Sequence, residues 1–307
     1  MSDMASDMAS FSVSTLSRLL AEHWRLTSAE ISAHEGGMSS LTWVVRQDGR
    51  RWLAKLVSAE RYGQQFAAGL AAAARLSAAG IPAGEPVPTL DGALTVTADT
   101  VTLALLSWVD GAPVAQDTAE GMRLVGRTLA RAHLALGDAQ AQSQTEPRLD
   151  PASPHLAIRP WIRPAIAEAR ASVEALNPAT LTWGPLHGDP AAEAFLYDAG
   201  SGTVGLIDWG AYTTGPRIYD LASAVMYAGG LGKADPLIEA YLAEDALSAA
   251  EVDRALGAML NWRWATQAYY FAYRIAAGDL TGIADSAHNE LGLAHAKAHL
   301  APDGTRA

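Results

Sequence analysis

Two aspartates in the middle of the chain have surroundings unlike those of an ordinary solvated charge. Asp189 ends a tight His-Gly-Asp turn, and Asp208 follows a short apolar run. The segments 195–197 and 203–207 flank a Gly/Ser turn and predict a β-hairpin between the two acids. Such a hairpin brings both carboxylates to one end, where they repel unless a cation or a shared proton separates them. One carboxylate can hold Mg²⁺ while the other orients a hydroxyl, which is the arrangement that phosphoryl transfer needs.

A third acid, Asp220, begins a helical apolar run and completes an ordered series of motifs. The series is His-Gly-Asp at 187–189, the hairpin, Ile-Asp-Trp at 207–209 and Tyr-Asp-Leu-Ala at 219–222. In order and spacing it resembles the aminoglycoside phosphotransferase and choline kinase-like family, whose fold is protein-kinase-like. The resemblance implies that the first motif is the catalytic loop, with Asp189 as the catalytic residue, and that the second holds the metal. The alternative is a set of turn and helix-cap aspartates in an unrelated α/β protein.

A Gly/Ser loop at 34–40 separates two strand-like segments, 27–33 and 41–46. Backbone N–H groups in such a loop can turn toward phosphate oxygens, although many loops of this kind are plain hairpin turns. The residues at 108–109, where the chain leaves the sheet-forming region, hold the position that the resemblance assigns to the adenine-binding hinge. The candidate nucleotide contacts here are Gly37, Ser39, Ser40, Trp108 and Val109.

Lys55 lies within an apolar strand-like segment, 51–57, that follows the hairpin signal Asp48-Gly49. A lysine in such a strand is costly without a partner, and a lysine snorkelling from an edge strand is the alternative. The resemblance implies that Lys55 contacts the nucleotide phosphates. The helix predicted for 62–79 offers no acid of the kind that pairs with this lysine in kinase-like folds. We therefore expect Lys55 to lack its usual carboxylate partner.

The chain departs from the family pattern five residues after Asp189, where Ala194 replaces a metal-binding asparagine. An alanine side chain has no oxygen and cannot bind Mg²⁺. Glu193, one residue earlier, supplies a carboxylate if the loop is shifted, and is otherwise a solvent-facing turn residue. The candidate metal ligands are therefore Asp208 and Glu193.

A long helix is predicted for 249–277, and four polar residues recur on one of its faces. One interpretation is an aromatic packing seam with solvated arginines. The other is a substrate wall in which guanidinium groups meet a carboxylate or a phosphate. The candidate substrate-binding residues are Arg263, Gln267, Tyr270 and Arg274. Further helices are predicted at 11–24, 118–136, 161–176, 235–242 and 283–299.

Composition limits the remaining classes of protein. The chain has 307 residues, half of them apolar, which is enough for one or two cores, and no cysteine for disulfides or thiolate chemistry. The net charge of −11 argues against a nucleic-acid partner. No window supplies the ~18 to 20 apolar residues of a membrane span, and residues 1–10, expected to be disordered, do not read as a signal peptide. We expect a cytoplasmic protein.

The sequence as a whole predicts an α+β, two-lobed protein-kinase-like fold. Residues 1–109 would form a small antiparallel-sheet lobe that covers the nucleotide, and 110–307 a mostly helical lobe with the catalytic loop and the substrate site. The resemblance implies transfer of phosphate from ATP or GTP, with Mg²⁺, to a hydroxyl of a small molecule such as an aminoglycoside, amino alcohol, sugar or other metabolite. Two alternatives stay open: a regulatory nucleotide-binding pseudokinase, and a kinase of Ser or Thr in a natural-product precursor peptide.

Overall fold

The computed structural model describes residues 11–34, 40–140 and 149–300. The strands within these ranges are β1 (Glu30–His34), β2 (Leu41–Gln47), β3 (Arg50–Ser58), β4 (Val96–Ala98), β5 (Val101–Ser107), β6 (Ala112–Pro113), β7 (Trp183–Leu186), β8 (Phe195–Asp198), β9 (Thr203–Leu206) and β10 (Thr213–Pro216). The helices are α1 (Val13–Trp24), α2 (Ala59–Ala78), α3 (Ala119–Leu136), α4 (Ile162–Ala175), α5 (Ile218–Tyr227), α6 (Asp235–Leu242), α7 (Ala249–Ala277) and α8 (Ser286–Leu300).

These elements divide between two compact units. The first contains the described residues up to Ala112, together with 196–212 and 281–283. The second contains 113–195, 213–280 and the residues from 284 onward. Lys55 and Asp208 therefore belong to the first unit, and Asp189 belongs to the second.

The first unit is built on a five-stranded antiparallel sheet with the strand order β1-β2-β3-β5-β4. The predicted hairpin signal between β2 and β3 is confirmed. Gln47 pairs with Arg50 across a two-residue turn, in which Asp48 and Gly49 have φ values of 52° and 74°. Positive φ at both positions gives the turn the twist of the flanking strands. Because β3 lies between β2 and β5, Lys55 is on an interior strand, and the edge-strand alternative is wrong.

One face of this sheet is covered by α1. Ser12 caps the helix by accepting a hydrogen bond from the backbone N–H of Thr15. The apolar side of the helix packs with Val45 of β2 and Leu103 of β5 in a single buried cluster. Burying each such side chain contributes roughly 1.5–3 kcal/mol, so α1 fixes the sheet that carries Lys55. The buried α1 residues are Leu16, Leu19, Leu20 and Trp24.

The second unit consists of α3 to α8 and the antiparallel pair β7–β10. The long helix α7 packs against α4, α5 and α8, and α3 packs against α6. A Cβ built on Gly126 of α3 would lie 2.1 Å from the carbonyl oxygen of Leu237, so only glycine permits this close approach of α3 and α6. The helices thus form a rigid support for the short β7–β10 pair, which leads into the His-Gly-Asp turn.

Most predicted elements are present, with shifts at their ends. The bounds of α6 and α7 agree with the prediction, whereas β1 begins three residues later than predicted. Helix α2 begins at Ala59, so its first turn includes an acid, Glu60, but that side chain is exposed. Among the described helices, none is long and apolar enough to cross a membrane.

Candidate functional site

Lys55 forms an ion pair with Asp208 inside the first unit. The lysine side chain is only 9% exposed, and its Nζ donates a hydrogen bond to Oδ1 of Asp208. An ammonium group buried to this extent needs a counter-charge, because desolvation would otherwise disfavour its charged form. Lys55 therefore does have a carboxylate partner, and that partner comes from the Ile-Asp-Trp motif instead of from α2.

The backbone at Asp208 presents its carboxylate outward. Asp208 lies two residues after the end of β9 and adopts a left-handed conformation, with φ 64° and ψ 60°. It opens a short 3₁₀ turn, Trp209–Ala211, in which the Trp209 indole donates to the carbonyl of Leu206 at 2.8 Å. Its side chain stays 54% exposed while one oxygen binds the buried lysine. More than half of the side-chain surface is therefore in contact with solvent.

Helix α2 supports the turn that carries Asp208. A Cβ built on Gly69 would lie 2.0 Å from the carbonyl oxygen of Trp209, so the helix and the turn are in direct backbone contact. One helical turn earlier, Gln65 donates to the carbonyl of Tyr212 at 3.1 Å. Helix α2 thus holds the Ile-Asp-Trp motif through a glycine and an amide.

The donor set in the first unit fits a magnesium ion that is held mainly by a nucleotide. Mg²⁺ is usually bound by one or two carboxylates together with substrate phosphates and water. Asp208 offers one half-exposed carboxylate, and the described residues contain no cluster of three or more His, Asp or Glu that would form a protein-only site. Glu193 is exposed in a 3₁₀ turn of the second unit, Ala192–Ala194, and its metal-binding role stays a prediction.

The His-Gly-Asp turn is anchored by a buried acid in the second unit. Asp220, with no exposed surface, accepts hydrogen bonds from the backbone N–H groups of His187 at 2.6 Å and Gly188 at 2.9 Å. The same carboxylate lies 3.1 Å from Nε2 of His133, whose Nδ1 lies 2.7 Å from the hydroxyl of Tyr241. The third motif of the series therefore fixes the backbone of the first.

Asp189 lies beside two side chains that bind the same carboxylate oxygen. Arg263 donates to Oδ1 at 2.8 Å, and the hydroxyl of Tyr227 donates to Oδ1 at 2.6 Å. Burial raises the pKa of the Tyr227 hydroxyl well above its usual value, so it is a permanent donor at neutral pH. The Asp189 side chain is 48% exposed, whereas that of Arg263 is 8% exposed. Of these two partners, sequence reasoning identified Arg263, as a substrate contact, and missed Tyr227.

The four polar residues predicted on one face of α7 have different surroundings. Gln267 donates to the carbonyl of Gly292 at 3.1 Å, within the second unit. Arg274 is 1% exposed, and its guanidinium donates to Asn289 at 3.0 Å and to the Tyr270 hydroxyl at 3.3 Å. Arg274 therefore anchors α8 to α7 from inside and is not a solvated arginine. Of the four residues, Arg263 lies at the His-Gly-Asp turn, where it contacts Asp189. The substrate-binding roles of all four stay predictions.

The predicted nucleotide contacts are described only in part. Gly37 and Ser39 lie outside the described residues. Ser40 is 3% exposed, and its Oγ has no hydrogen-bond partner among the described residues. In the predicted hinge, the Arg51 guanidinium lies 4.7 Å from the ring centre of Trp108. A Cβ on Gly205 would lie 2.7 Å from Val109, so the predicted hinge packs tightly on β9. The nucleotide-binding roles of these residues stay predictions.

Comparison with known proteins assigns the chain to a family. The profile of the phosphotransferase enzyme family matches residues 30–258. A homoserine kinase of Hyphomonas neptunium (strain ATCC 15444) is 34% identical over 164 residues, which cover 48% of this chain and 48% of that kinase. The match thus spans about half the length of this curated relative.

Solved structures resemble the chain over almost its whole length. A microcompartment-associated aminopropanol kinase has a TM-score of 0.65 and 16% identity, and covers 94% of this chain and 95% of its own. A choline/ethanolamine kinase family protein from Mesorhizobium loti gives the same values. A spectinomycin phosphotransferase, solved with ADP and spectinomycin, has a TM-score of 0.61 and 13% identity, with 94% of each chain covered. These comparisons confirm the predicted family resemblance and the predicted kinase-like α+β fold.

Proposed function

The chain belongs to the phosphotransferase enzyme family, and from this premise we propose that it transfers the γ-phosphoryl group of ATP to a hydroxyl of a small molecule. In this proposal Lys55 contacts the nucleotide phosphates and Asp208 holds Mg²⁺. Asp189 orients the acceptor hydroxyl and receives its proton. Positioning and electrostatic stabilisation supply most of the acceleration, as phosphoryl transfer requires.

The observation that carries the proposal is the pairing of a buried lysine with a half-exposed aspartate in the first unit. A lysine ammonium is a compact charge on a flexible stem, and it can bind phosphate oxygens as readily as a carboxylate. The exposed part of Asp208 offers Mg²⁺ a hard oxygen ligand. A buried ammonium group beside a half-exposed carboxylate can bind a nucleoside triphosphate together with its metal ion.

The names of the relatives narrow the acceptor class. Homoserine, aminopropanol, choline or ethanolamine, and spectinomycin are the substrates that those names indicate. All of them combine a hydroxyl with an amine or ammonium group. The side chain of Asp189 is 48% exposed, so a small polar molecule can reach the carboxylate that would orient its hydroxyl. We therefore propose an amino-bearing alcohol as the acceptor.

A panel assay tests the function. Purified protein with Mg²⁺ and either ATP or GTP is offered homoserine, short amino alcohols, aminoglycosides, sugars and a Ser-containing peptide, and the phosphorylated product is measured by mass spectrometry. We expect transfer to an amino alcohol and none by Lys55→Met. Transfer to the peptide alone, or to sugars alone, would contradict the proposed acceptor class.

A pseudokinase is the second candidate, because Ala194 stands where the family has a metal-binding asparagine. It would bind nucleotide without transferring phosphate. The same preparation distinguishes the two candidates, since calorimetry would detect the nucleotide while the panel gave no product with any acceptor. That combination of results would overturn the proposed catalysis.

A further inference from the structure

We propose that Tyr227 and Arg263 are positioning residues that fix the carboxylate of Asp189 through one oxygen and thereby present the other to the acceptor hydroxyl. The inference rests on the proposed function and assigns to these two side chains a role that the motifs do not contain. Tyr227 ends α5, and Arg263 lies in the middle of α7, so the two donors approach Asp189 from different rigid elements.

The hydrogen bonds around Asp189 are one-sided. Arg263 and Tyr227 both donate to Oδ1, and Arg263 also donates to the Tyr227 hydroxyl at 2.9 Å. The three groups thus close a triangle in which each side is a hydrogen bond. All bonds that the described residues give this carboxylate fall on Oδ1, and the side chain is 48% exposed. Oδ2 is the oxygen left to face a ligand.

The burial of Arg263 stabilises its hydrogen bond to Asp189. The Arg263 side chain is 8% exposed, and its guanidinium lies over the ring of Tyr227 at 5.6 Å. Its Nε is buried without a hydrogen-bond partner among the described residues. The counter-charge of Asp189 is therefore the main compensation that the guanidinium has in this unit, and a buried charge that loses its partner is strongly destabilised. Arg263 thus fixes the carboxylate of Asp189, and that carboxylate stabilises the buried charge of Arg263.

The reaction explains why a fixed orientation matters. The acceptor oxygen forms a bond to the γ-phosphorus, the bond from that phosphorus to the bridging oxygen of ATP breaks, and the hydroxyl proton moves to Oδ2 of Asp189. The products are a phosphate ester and ADP. A carboxylate free to rotate would place a lone pair toward the hydroxyl only part of the time, and a misplacement of about 1 Å can cost about a hundredfold in rate. Two donors on Oδ1 remove that freedom.

Steady-state kinetics of four variants test the proposal with the acceptor found in the panel. Tyr227→Phe removes one hydroxyl and should lower kcat about tenfold, and Arg263→Met should lower it about a hundredfold, with both KM values within about threefold of wild type. Arg263→Lys should keep an intermediate kcat, because it retains the charge but not the planar fork. The matched control is Arg170→Met, which removes an exposed arginine paired with Glu174 and should leave kcat unchanged.

Two measurements separate positioning from folding. Guanidinium ions at millimolar concentration should restore part of the kcat of Arg263→Ala and none of that of Asp189→Asn. Crystal structures of Tyr227→Phe and Arg263→Met should show the Asp189 carboxylate turned away from its wild-type orientation, with an unchanged His-Gly-Asp backbone.

The proposal is overturned if kcat stays within twofold of wild type in both variants, or if the carboxylate keeps its orientation in both structures. If Arg263→Met does not fold, Tyr227→Phe decides, because it changes one buried oxygen only. A wild-type protein with no transfer to any acceptor would refute the proposed function, whereas the variant structures would still test the orientation of Asp189.

Discussion

Asp208 in the first unit and Asp189 in the second have similar surroundings but different supports. Each is about half-exposed, and each gives Oδ1 to a cation that is less than a tenth exposed, Lys55 for one and Arg263 for the other. Asp208 has a left-handed backbone and follows a strand. Asp189 ends a turn that is pinned by the backbone hydrogen bonds to Asp220.

The difference between the two cations suggests a difference in role. A lysine ammonium on its flexible stem can exchange one oxygen partner for another, whereas an arginine guanidinium is planar and keeps a fixed set of bonds. In the proposed function, we therefore expect Lys55 to pass from Asp208 to a phosphate when nucleotide binds. Arg263 has a second bond to Tyr227 and stays with Asp189. We expect an exchangeable pair in the first unit and a permanent pair in the second.

Asp189→Asn gives the largest expected effect. It keeps the shape of the side chain but removes its proton-accepting charge, and general-base catalysis is typically worth a hundredfold or more, roughly 10²–10⁴. We expect phosphate transfer to fall by at least about a hundredfold, while nucleotide affinity measured by calorimetry stays near wild type. Transfer within tenfold of wild type, which is only about 1.4 kcal/mol, would remove Asp189 from its assigned role.

Asp208→Ala should affect the other step. Asp208 is the proposed ligand of Mg²⁺ in the first unit, so its removal should abolish the gain in nucleotide affinity that Mg²⁺ provides. We expect the ratio of affinities with and without Mg²⁺, measured by calorimetry, to fall at least about tenfold, which corresponds to about 1.4 kcal/mol. An unchanged ratio would show that the metal is held by other groups. It would also break the comparison, because Asp208 would then bind Lys55 without binding the metal.

Gly69→Ala tests the support of Asp208. The added methyl group would meet the carbonyl oxygen of Trp209, which belongs to backbone and cannot rotate away. Overpacking of this kind costs about 1–3 kcal/mol, and we expect the thermal midpoint to fall and Mg²⁺-dependent nucleotide binding to weaken with it. Gly257→Ala is the matched control, since a Cβ at that position of α7 would meet none of the described residues within 4 Å beyond its own stretch of helix. Equal behaviour of the two variants would mean that α2 can shift without disturbing Asp208.

Much of this architecture can be predicted from local sequence signals. The Asp48-Gly49 turn, the hairpin between Asp189 and Asp208, and the bounds of α7 follow from turn chemistry and helical periodicity, and the structure confirms them. Each of these signals depends on residues that are close together in the chain, so it can be recognised in a single sequence. The start of β1 is predicted three residues too early, because pairing with β2 begins only at Glu30, opposite Arg46.

The partners of the charged side chains are harder to predict. Because the helix after β3 offers no suitable acid, the sequence predicts that Lys55 lacks its usual carboxylate partner. The structure shows that a carboxylate partner comes from Asp208, more than a hundred positions later. The contact of Tyr227 with Asp189 could not be predicted, because a tyrosine at the end of an apolar helix is usually a packing residue. Periodicity placed Arg263 and Arg274 on one face, yet Arg263 binds Asp189 while Arg274 is enclosed between α7 and α8. Spacing along a helix predicts which side of the helix a side chain is on, whereas its burial depends on the elements that pack against that side.

Glu193 carries the smallest expected effect and tests the departure from the family pattern. We propose that it binds Mg²⁺ through a water molecule, since Ala194 cannot and Glu193 is the only acid between Asp189 and Asp198. A carboxylate that contacts the metal only through water contributes little to its binding. Glu193→Gln should therefore raise the Mg²⁺ concentration for half-maximal activity about threefold, which corresponds to about 0.7 kcal/mol. Glu168→Gln, which neutralises an exposed acid on α4, is the control for a general loss of charge. If a Glu193→Ala variant matches wild type throughout a Mg²⁺ titration, a water molecule alone replaces the oxygen of the family's asparagine. Asp208 would then be the protein's main ligand for the metal.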